Sequence, residues 1–266
     1  MPVLRRFKDR VRGALRREVP SPSPSANVEY NRWFWSEYAK RWSPDTTFID
    51  DGSDPETSRR EIKYRGDEWG REELLRPILE EFVFPYLGPE RIVAEIGSGG
   101  GRLSVRVAPL VKELHCFDVS QEMLDVCRKT LATHPNVHYH LTNPPEFDTQ
   151  YFGRFDFVYA FDVFVHLDLH TIWRYFQSIR RTLREGGVAF LHTANLKSPD
   201  GWRRFASQQT YKPEGFYFVS PEIISVLIER GDWELVKGSS PDPSNLYLNR
   251  DYLFILRKTD ICLALP

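Results

Sequence analysis

Cysteine is scarce in this chain. Cys116, Cys127 and Cys262 are the three in 266 residues. They form no CxxC pair and are odd in number, which argues against a disulfide framework and points to a reducing, cytoplasmic setting. Long apolar runs are lacking as well. No stretch approaches the roughly 20 consecutive apolar residues of a membrane-spanning helix. Arginine interrupts the first apolar residues every few positions, so no cleaved secretory signal is expected. An excess of either charge is also missing, with 36 Lys and Arg against 37 Asp and Glu. What is present is ordinary for a globular protein: 41% hydrophobic and 27% charged residues, in a chain long enough to bury a substantial core.

The even balance hides an asymmetry. Residues 1–19 carry Arg5, Arg6, Lys8, Arg10, Arg12, Arg16 and Arg17 against Asp9 and Glu18, a net of +5 that leaves −6 for the rest. An acidic body is a poor match for a nucleic-acid polymer, whose binding rests on phosphate neutralisation, so a small or uncharged acceptor is expected. Within the leader, Val3, Leu4, Phe7, Val11 and Leu15 recur at helical spacing between the arginines. That pattern reads as a basic amphipathic helix, either a frayed tail or a helix packed on the body, or one suited to an anionic membrane surface, with an organelle transit peptide as a third reading that Asp9 and Glu18 weaken. The run "PSPSPS" at 20–25 stops it and reads as a linker. The organisation expected is thus a leader and linker over 1–26, a helical cap and lid over 27–90, and a main domain over 91–266.

In the cap, "NRWFWSEYAKRW" (31–42) puts Trp35, Tyr38 and Trp42 on one helical face, expected to be buried or to roof a pocket. Residues 47–70 read as a polar loop leading to a helix at 71–86. From 91 the chain alternates: strand 91–96, helix 102–110, strand 113–119, helix 121–133 capped by Ser120, and strands 137–141 and 155–161. A helix over about 168–184, closed by Gly186 and Gly187, and a strand at 188–194 follow. This predicts an α/β fold with a doubly wound, parallel sheet that binds ligand at the carboxyl ends of its strands. Residues 195–219 interrupt it with a long aromatic and basic connection that reads as a lid. A helix from Ser220 to Gly231 and strands 233–239 and 251–258, expected to be antiparallel, close the chain.

"AEIGSGGGRLS" (94–104) asks what ligand needs so bare a backbone. Glycine lets the main chain approach a ligand closely, and a strand ending in glycines and opening a helix suits a nucleotide-type group. The dinucleotide fingerprint wants glycine at the sixth position from Gly97, where Arg102 stands instead. Glu95, Gly97, Gly99 and Gly101 form E-x-G-x-G-x-G, which resembles motif I of the class I S-adenosylmethionine-dependent methyltransferases. The resemblance covers about residues 91–194. It continues in Asp118, Ser120, Met123 and Leu124, which match D-x-S-x-x-M-L, and in "FDFVYAFDVFVHLD" (155–168) and "LREGG" (183–187).

The resemblance implies a seven-stranded Rossmann-like sheet, S-adenosyl-L-methionine as cofactor, and a cofactor site at Glu95, Gly97, Ser98, Gly99, Gly101, Asp118, Asn143, Phe161 and Asp162. Asp118 would accept both ribose hydroxyls. Asn143, where the family commonly has aspartate, would face adenine. Phe161 and Asp162 would flank the methionine end. "NPPEF" (143–147) looks like the amino-methylating Asn-Pro-Pro-aromatic motif but has glutamate at the aromatic position and follows the wrong strand, so Pro144 and Pro145 are expected only to stop the strand.

A hydroxyl acceptor also needs a base. Imidazole titrates near neutral pH, and His166 just beyond the fourth strand is the catalytic candidate, with a packing role as its alternative and His192 and Asp162 as weaker choices. No metal is expected, although His166 and Asp168 would together offer two ligands. The function expected is O-methylation of a small molecule, sugar or glycan. The alternatives are a lipid-linked acceptor at the membrane surface and a noncatalytic module built on the same fold.

Overall fold

In a computed structural model of the protein, the described residues are 27–41, 64–66, 70, 72–208, 210 and 215–259. The leader, the linker, Trp42 and most of the 47–70 loop lie outside them.

Eight strands form one sheet: β1 (Ile92–Ile96), β2 (Glu113–Asp118), β3 (Val137–Leu141), β4 (Phe155–Ala160), β5 (Leu183–Asn195), β6 (Phe218–Val219), β7 (Trp233–Gly238) and β8 (Asp251–Lys258). Their order is β3-β2-β1-β4-β5-β8-β7, with the two-residue β6 pairing the end of β5. β1 to β5 are mutually parallel, whereas β8 runs antiparallel to both β5 and β7. The seven-stranded path and its antiparallel ending are as the sequence predicts.

Eight α-helices accompany the strands among the described residues: α1 (Asn27–Arg41), α2 (Glu72–Phe82), α3 (Ser104–Val107), α4 (Gln121–Thr130), α5 (Leu169–Thr182), α6 (Pro199–Ser207), α7 (Pro221–Arg230) and α8 (Leu246–Arg250). Their starts follow local chemistry. The Ser120, Asp168, Ser198 and Ser220 side chains accept the N–H of Met123, Thr171, Gly201 and Ile223, satisfying donors that a first turn leaves open.

The central strands are buried on both faces, and strict alternation sends their side chains into two cores. On one face Val93, Phe157, Phe190 and Ile255 meet Leu75, Ile78, Leu79 and Phe82 of α2. On the other, Ala94, Val158, Leu191 and Phe254 meet Ile172, Phe176 and Ile179 of α5 and Ile224 and Ile228 of α7. The chain leaves β1 toward β3 and returns on the far side at β4, so a crevice opens at the carboxyl ends of β1 and β4.

Several boundaries differ from expectation. α5 ends at Thr182, and residues 183–187 join β5 instead of turning before it. Leu183 pairs with Phe155, and a register shift follows on β4. Gly186, with φ of +67°, absorbs the irregularity inside the strand. The 195–219 connection is partly helical, because Ser198 and Pro199 start α6. The turn-rich stretch before β8 holds α8, capped by Asn245, which accepts from the N–H of Tyr247 and Leu248.

Candidate active site

The crevice holds a cavity of about 1070 Å³, open solvent at its mouth included. Its floor is the turn after β1, where Gly97, Gly99 and Gly101 have φ of +69°, +53° and +90°. The three serve different ends. A Cβ on Gly97 would lie 2.4 Å from Cγ2 of Val163, so this glycine lets two loops touch. At Gly99 an added Cβ would meet nothing within 4 Å and would project into open space. Gly101 does not line the cavity: its Cα packs on α4, where a Cβ would come within 3.3 Å of Cys127 and Thr130.

Glu95 reaches the cavity wall but is buried, and its Oε2 accepts from the hydroxyls of Ser104 and Tyr159. Burial pushes its carboxyl up to about 7. At the end of β2, Asp118 accepts the N–H of Gly99 at 2.8 Å and of Ser120 at 2.9 Å, and burial pushes it up to about 6 against those bonds. Ser98 and Asn31 contribute a different signal. Ser98 Oγ and Asn31 Oδ1 line this space buried and without a hydrogen-bond partner among the described residues, as expected where a polar ligand completes a site.

Phe161 and Asp162 form the wall after β4. Asp162 has φ of +57°, and its N–H donates to Nδ1 of His192 at 3.0 Å. The Nε2–H of His192 therefore faces Asp251 Oδ2, 2.8 Å away. His192 is fully buried in this relay and outside the cavity wall, which removes it as a candidate base. Asn143 also departs from expectation. It is exposed, with Thr142 and Pro144 lining the cavity around it, and its amide oxygen accepts from Arg32 of α1 at 2.7 Å.

His166 does line the cavity. Its Nδ1 lies 2.9 Å from the Gly215 carbonyl, which can only accept, so Nδ1 carries a proton. Edge contacts with Trp35 and Phe216, at 5.5 and 5.4 Å between centroids, fix the ring plane. Asp168 is not its partner in a metal site, since its two oxygens accept from the N–H and hydroxyl of Thr171 and cap α5.

The roof is α1. Asn27 and Asn31 donate to the His166 carbonyl, Ser36 donates to Ser120, and Lys40 pairs with Glu122 at 3.1 Å. Trp35 and Tyr38 thereby face the cavity, as the aromatic spacing allowed. Arg65 and Arg102 are wall residues that sequence reasoning missed. Arg65 is held by the Ala39 carbonyl and lowered to about 10 by burial. Arg102 donates to the Gly70 carbonyl and to Tyr247. The one signal for Arg102 was its standing where a dinucleotide site needs glycine.

Comparison with known proteins agrees with this geometry. Residues 93–187 match a family model described as "Methyltransferase domain". The chain is 28% identical over 152 residues to the ubiquinone biosynthesis O-methyltransferase of Aromatoleum aromaticum, covering 56% of this chain and 58% of that one. It is 31% identical over 124 residues to the enzyme of the same name from Xanthomonas axonopodis pv. citri, covering 46% and 51%. The chain thus spans little more than half the length of these relatives.

Among solved structures, it resembles magnesium protoporphyrin IX methyltransferase from Synechocystis PCC 6803 with bound SAH, at TM-score 0.63 and 14% identity over 88% of this chain and 100% of that one. It also resembles Haemonchus contortus phosphoethanolamine N-methyltransferase 1, at TM-score 0.67 and 16% identity over 92% and 51%. At these identities the likeness is one of fold. The glycine turn after β1, Asp118 at the end of β2 and the strands β2 to β4 all fall within residues 93–187, the part of the chain that matches the methyltransferase domain model.

Proposed function

We propose that the protein is an S-adenosylmethionine-dependent O-methyltransferase acting on a small hydroxyl-bearing acceptor. The single observation that carries this reading is a buried carboxylate, Asp118, set beside a bare Gly99 turn and the partnerless Ser98 Oγ on one cavity wall. The cofactor fits the residues present: Gly99 leaves the space a side chain would fill, and Ser98 and Asn31 await polar partners. When bound, it supplies an electrophilic methyl group on a sulfonium centre.

The chain's own part is alignment, exclusion of water and proton transfer. Asp118 would accept the ribose hydroxyls, and Phe161 and Asp162 would border the methionine end. Nε2 of His166 would take the acceptor's hydroxyl proton as its oxygen bonds to the methyl carbon and the carbon–sulfur bond breaks. α1 shields that step from solvent, and its Trp35 and Tyr38 offer aromatic faces to a flat or sugar-ring acceptor. Two curated relatives named O-methyltransferases support oxygen as the atom methylated.

The reading is checked by calorimetry with S-adenosylmethionine. Asp118→Ala should weaken binding by about 1.5–3 kcal/mol, the range for lost charged hydrogen bonds, and unchanged affinity would remove the ribose assignment. Wild-type affinity should also fall as pH drops through about 6, where Asp118 gains a proton and loses acceptor capacity. Stability moves oppositely. A buried carboxyl raised above its unfolded value binds its proton more tightly when folded. Its contribution is therefore fully present below the ordinary carboxylate range and is lost as pH rises through about 6 for Asp118 and about 7 for Glu95.

A lipid-linked acceptor is favoured by one feature, the +5 charge of residues 1–19. No helix among the described residues is long and apolar enough to cross a membrane, so contact would be peripheral. Full-length protein should then sediment with anionic vesicles at low salt, at about 1 kcal/mol per basic residue near the surface, and release as salt rises. A chain starting at Asn27 should stay in solution. Equal behaviour of the two would favour a soluble acceptor.

A further inference from the structure

We propose that Glu113, His115 and His138 form a binding site for a zinc-type divalent cation on the outer part of the sheet, apart from the methyl-donor cavity. The register makes the cluster. Glu113 and His115 are two apart on β2 and share a face, and His138 is the direct partner of His115 on the edge strand β3. One donor atom from each lies within 4.8 Å of the others.

His115 Nε2 and a Glu113 oxygen are already 3.1 Å apart. Two ligands of a tetrahedral ion with bonds near 2.1 Å stand about 3.4 Å apart, so this pair is nearly in place. His115 is buried, whereas His138 is exposed with its ring 4.7 Å from that of His115 between centroids. Two imidazoles and one carboxylate suit zinc, cobalt or nickel over magnesium or calcium, which take oxygen ligands. The exposed side leaves a coordination position to water. None of the three lines the cavity.

The surroundings are those of a ligand set. Arg154 donates to Glu113 at 2.7 Å and orients its carboxylate. Nδ1 of His115 lies 3.0 Å from Nε2 of His140, whose Nδ1 lies 3.0 Å from the Tyr151 hydroxyl. This chain is complete in either direction. With Nε2–H of His115 donating to Glu113, protons run from Tyr151 toward the carboxylate. With a cation on Nε2, His115 carries its proton on Nδ1, His140 shifts its own to Nδ1, and Tyr151 accepts. No proton is lost, and the ligand's second nitrogen gains the hydrogen-bonded partner that metal-binding histidines require.

The test uses full-length protein freed of metal and titrated with Co²⁺ and Zn²⁺, read by visible absorption and calorimetry and independent of methyl transfer. One saturable equivalent is expected. His138→Ala and Glu113→Gln should each weaken it by about tenfold or more, as losses at metal sites do, while His170→Ala, an exposed histidine elsewhere, should leave it unchanged. His138 is exposed, so its variant should keep the wild-type melting profile in the absence of metal. Absence of saturable binding, or equal binding by wild type and His138→Ala, would overturn the proposal and leave the cluster as a hydrogen-bonded relay.

Discussion

Replacing His166 by asparagine should lower kcat by about 10²-fold, the typical contribution of a positioned general base, while donor affinity stays within about twofold. The Nδ2–H of asparagine falls where Nδ1–H of the histidine donates to the Gly215 carbonyl, so asparagine preserves the anchor and removes the Nε2 nitrogen. His166→Ala removes both and should lose at least as much turnover. Because the effect belongs to the proton transfer, it should appear in kcat and kcat/KM together. The measurement is methyl transfer from labelled donor across small hydroxyl-bearing acceptors, aromatic and sugar, at saturating donor. If the asparagine variant keeps most of its turnover while alanine loses it, the histidine positions the Gly215 segment and the base lies elsewhere. If both keep it, the residue packs against Trp35 and Phe216 and does no chemistry.

Gly97→Ala and Gly99→Ala should fail in different ways although they sit two residues apart in one motif. Both glycines have positive φ, which costs a side-chain-bearing residue roughly 1–2 kcal/mol. At Gly97 the new methyl also strikes Val163, whose β-branched side chain has little rotamer freedom to withdraw. Overpacking of that kind adds about 1–3 kcal/mol, so Gly97→Ala should lower unfolding free energy by roughly 2–5 kcal/mol. Adding Val163→Ala should recover the overpacking share. Gly99→Ala meets no atom, so it should cost only the backbone share in stability yet abolish donor binding by filling the cavity floor. Chemical denaturation and donor calorimetry on both variants make the comparison. Equal stability losses, or donor binding intact in Gly99→Ala, would show that the turn does not cradle the donor.

The features legible in the sequence are those whose cause lies within a few residues. Ser120 caps α4 because its hydroxyl reaches the N–H three positions on, and Ser220 with Pro221 starts α7 for the same reason. An apolar strand that ends in glycines, the residues that take positive φ and let a ligand approach the backbone, marks β1 and its turn as a candidate ligand site, with Asp118 at the end of β2 beside it. The strand alternation sufficed for the sheet, and the two strands at the end of the chain for its antiparallel edge.

Decisions made by residues far apart in the chain were not readable. Gly101 shares the motif's spacing, but the approach of Cys127 and Thr130 assigns it to helix packing. Asn143 stands at the family's adenine position, yet Arg32, 111 residues earlier, takes its amide oxygen. The sequence ranks His166 above His192 by position alone; their environments come from distant residues. Asp251 and the Asp162 N–H enclose one, while Gly215 and two asparagines 139 and 135 residues away orient the other toward the cavity. The pairing of His115 with His138 exists only through the β2–β3 register. Local sequence determines which conformations a segment can adopt; which of its polar atoms remain available to a ligand depends on partners that only the folded chain brings within hydrogen-bond reach.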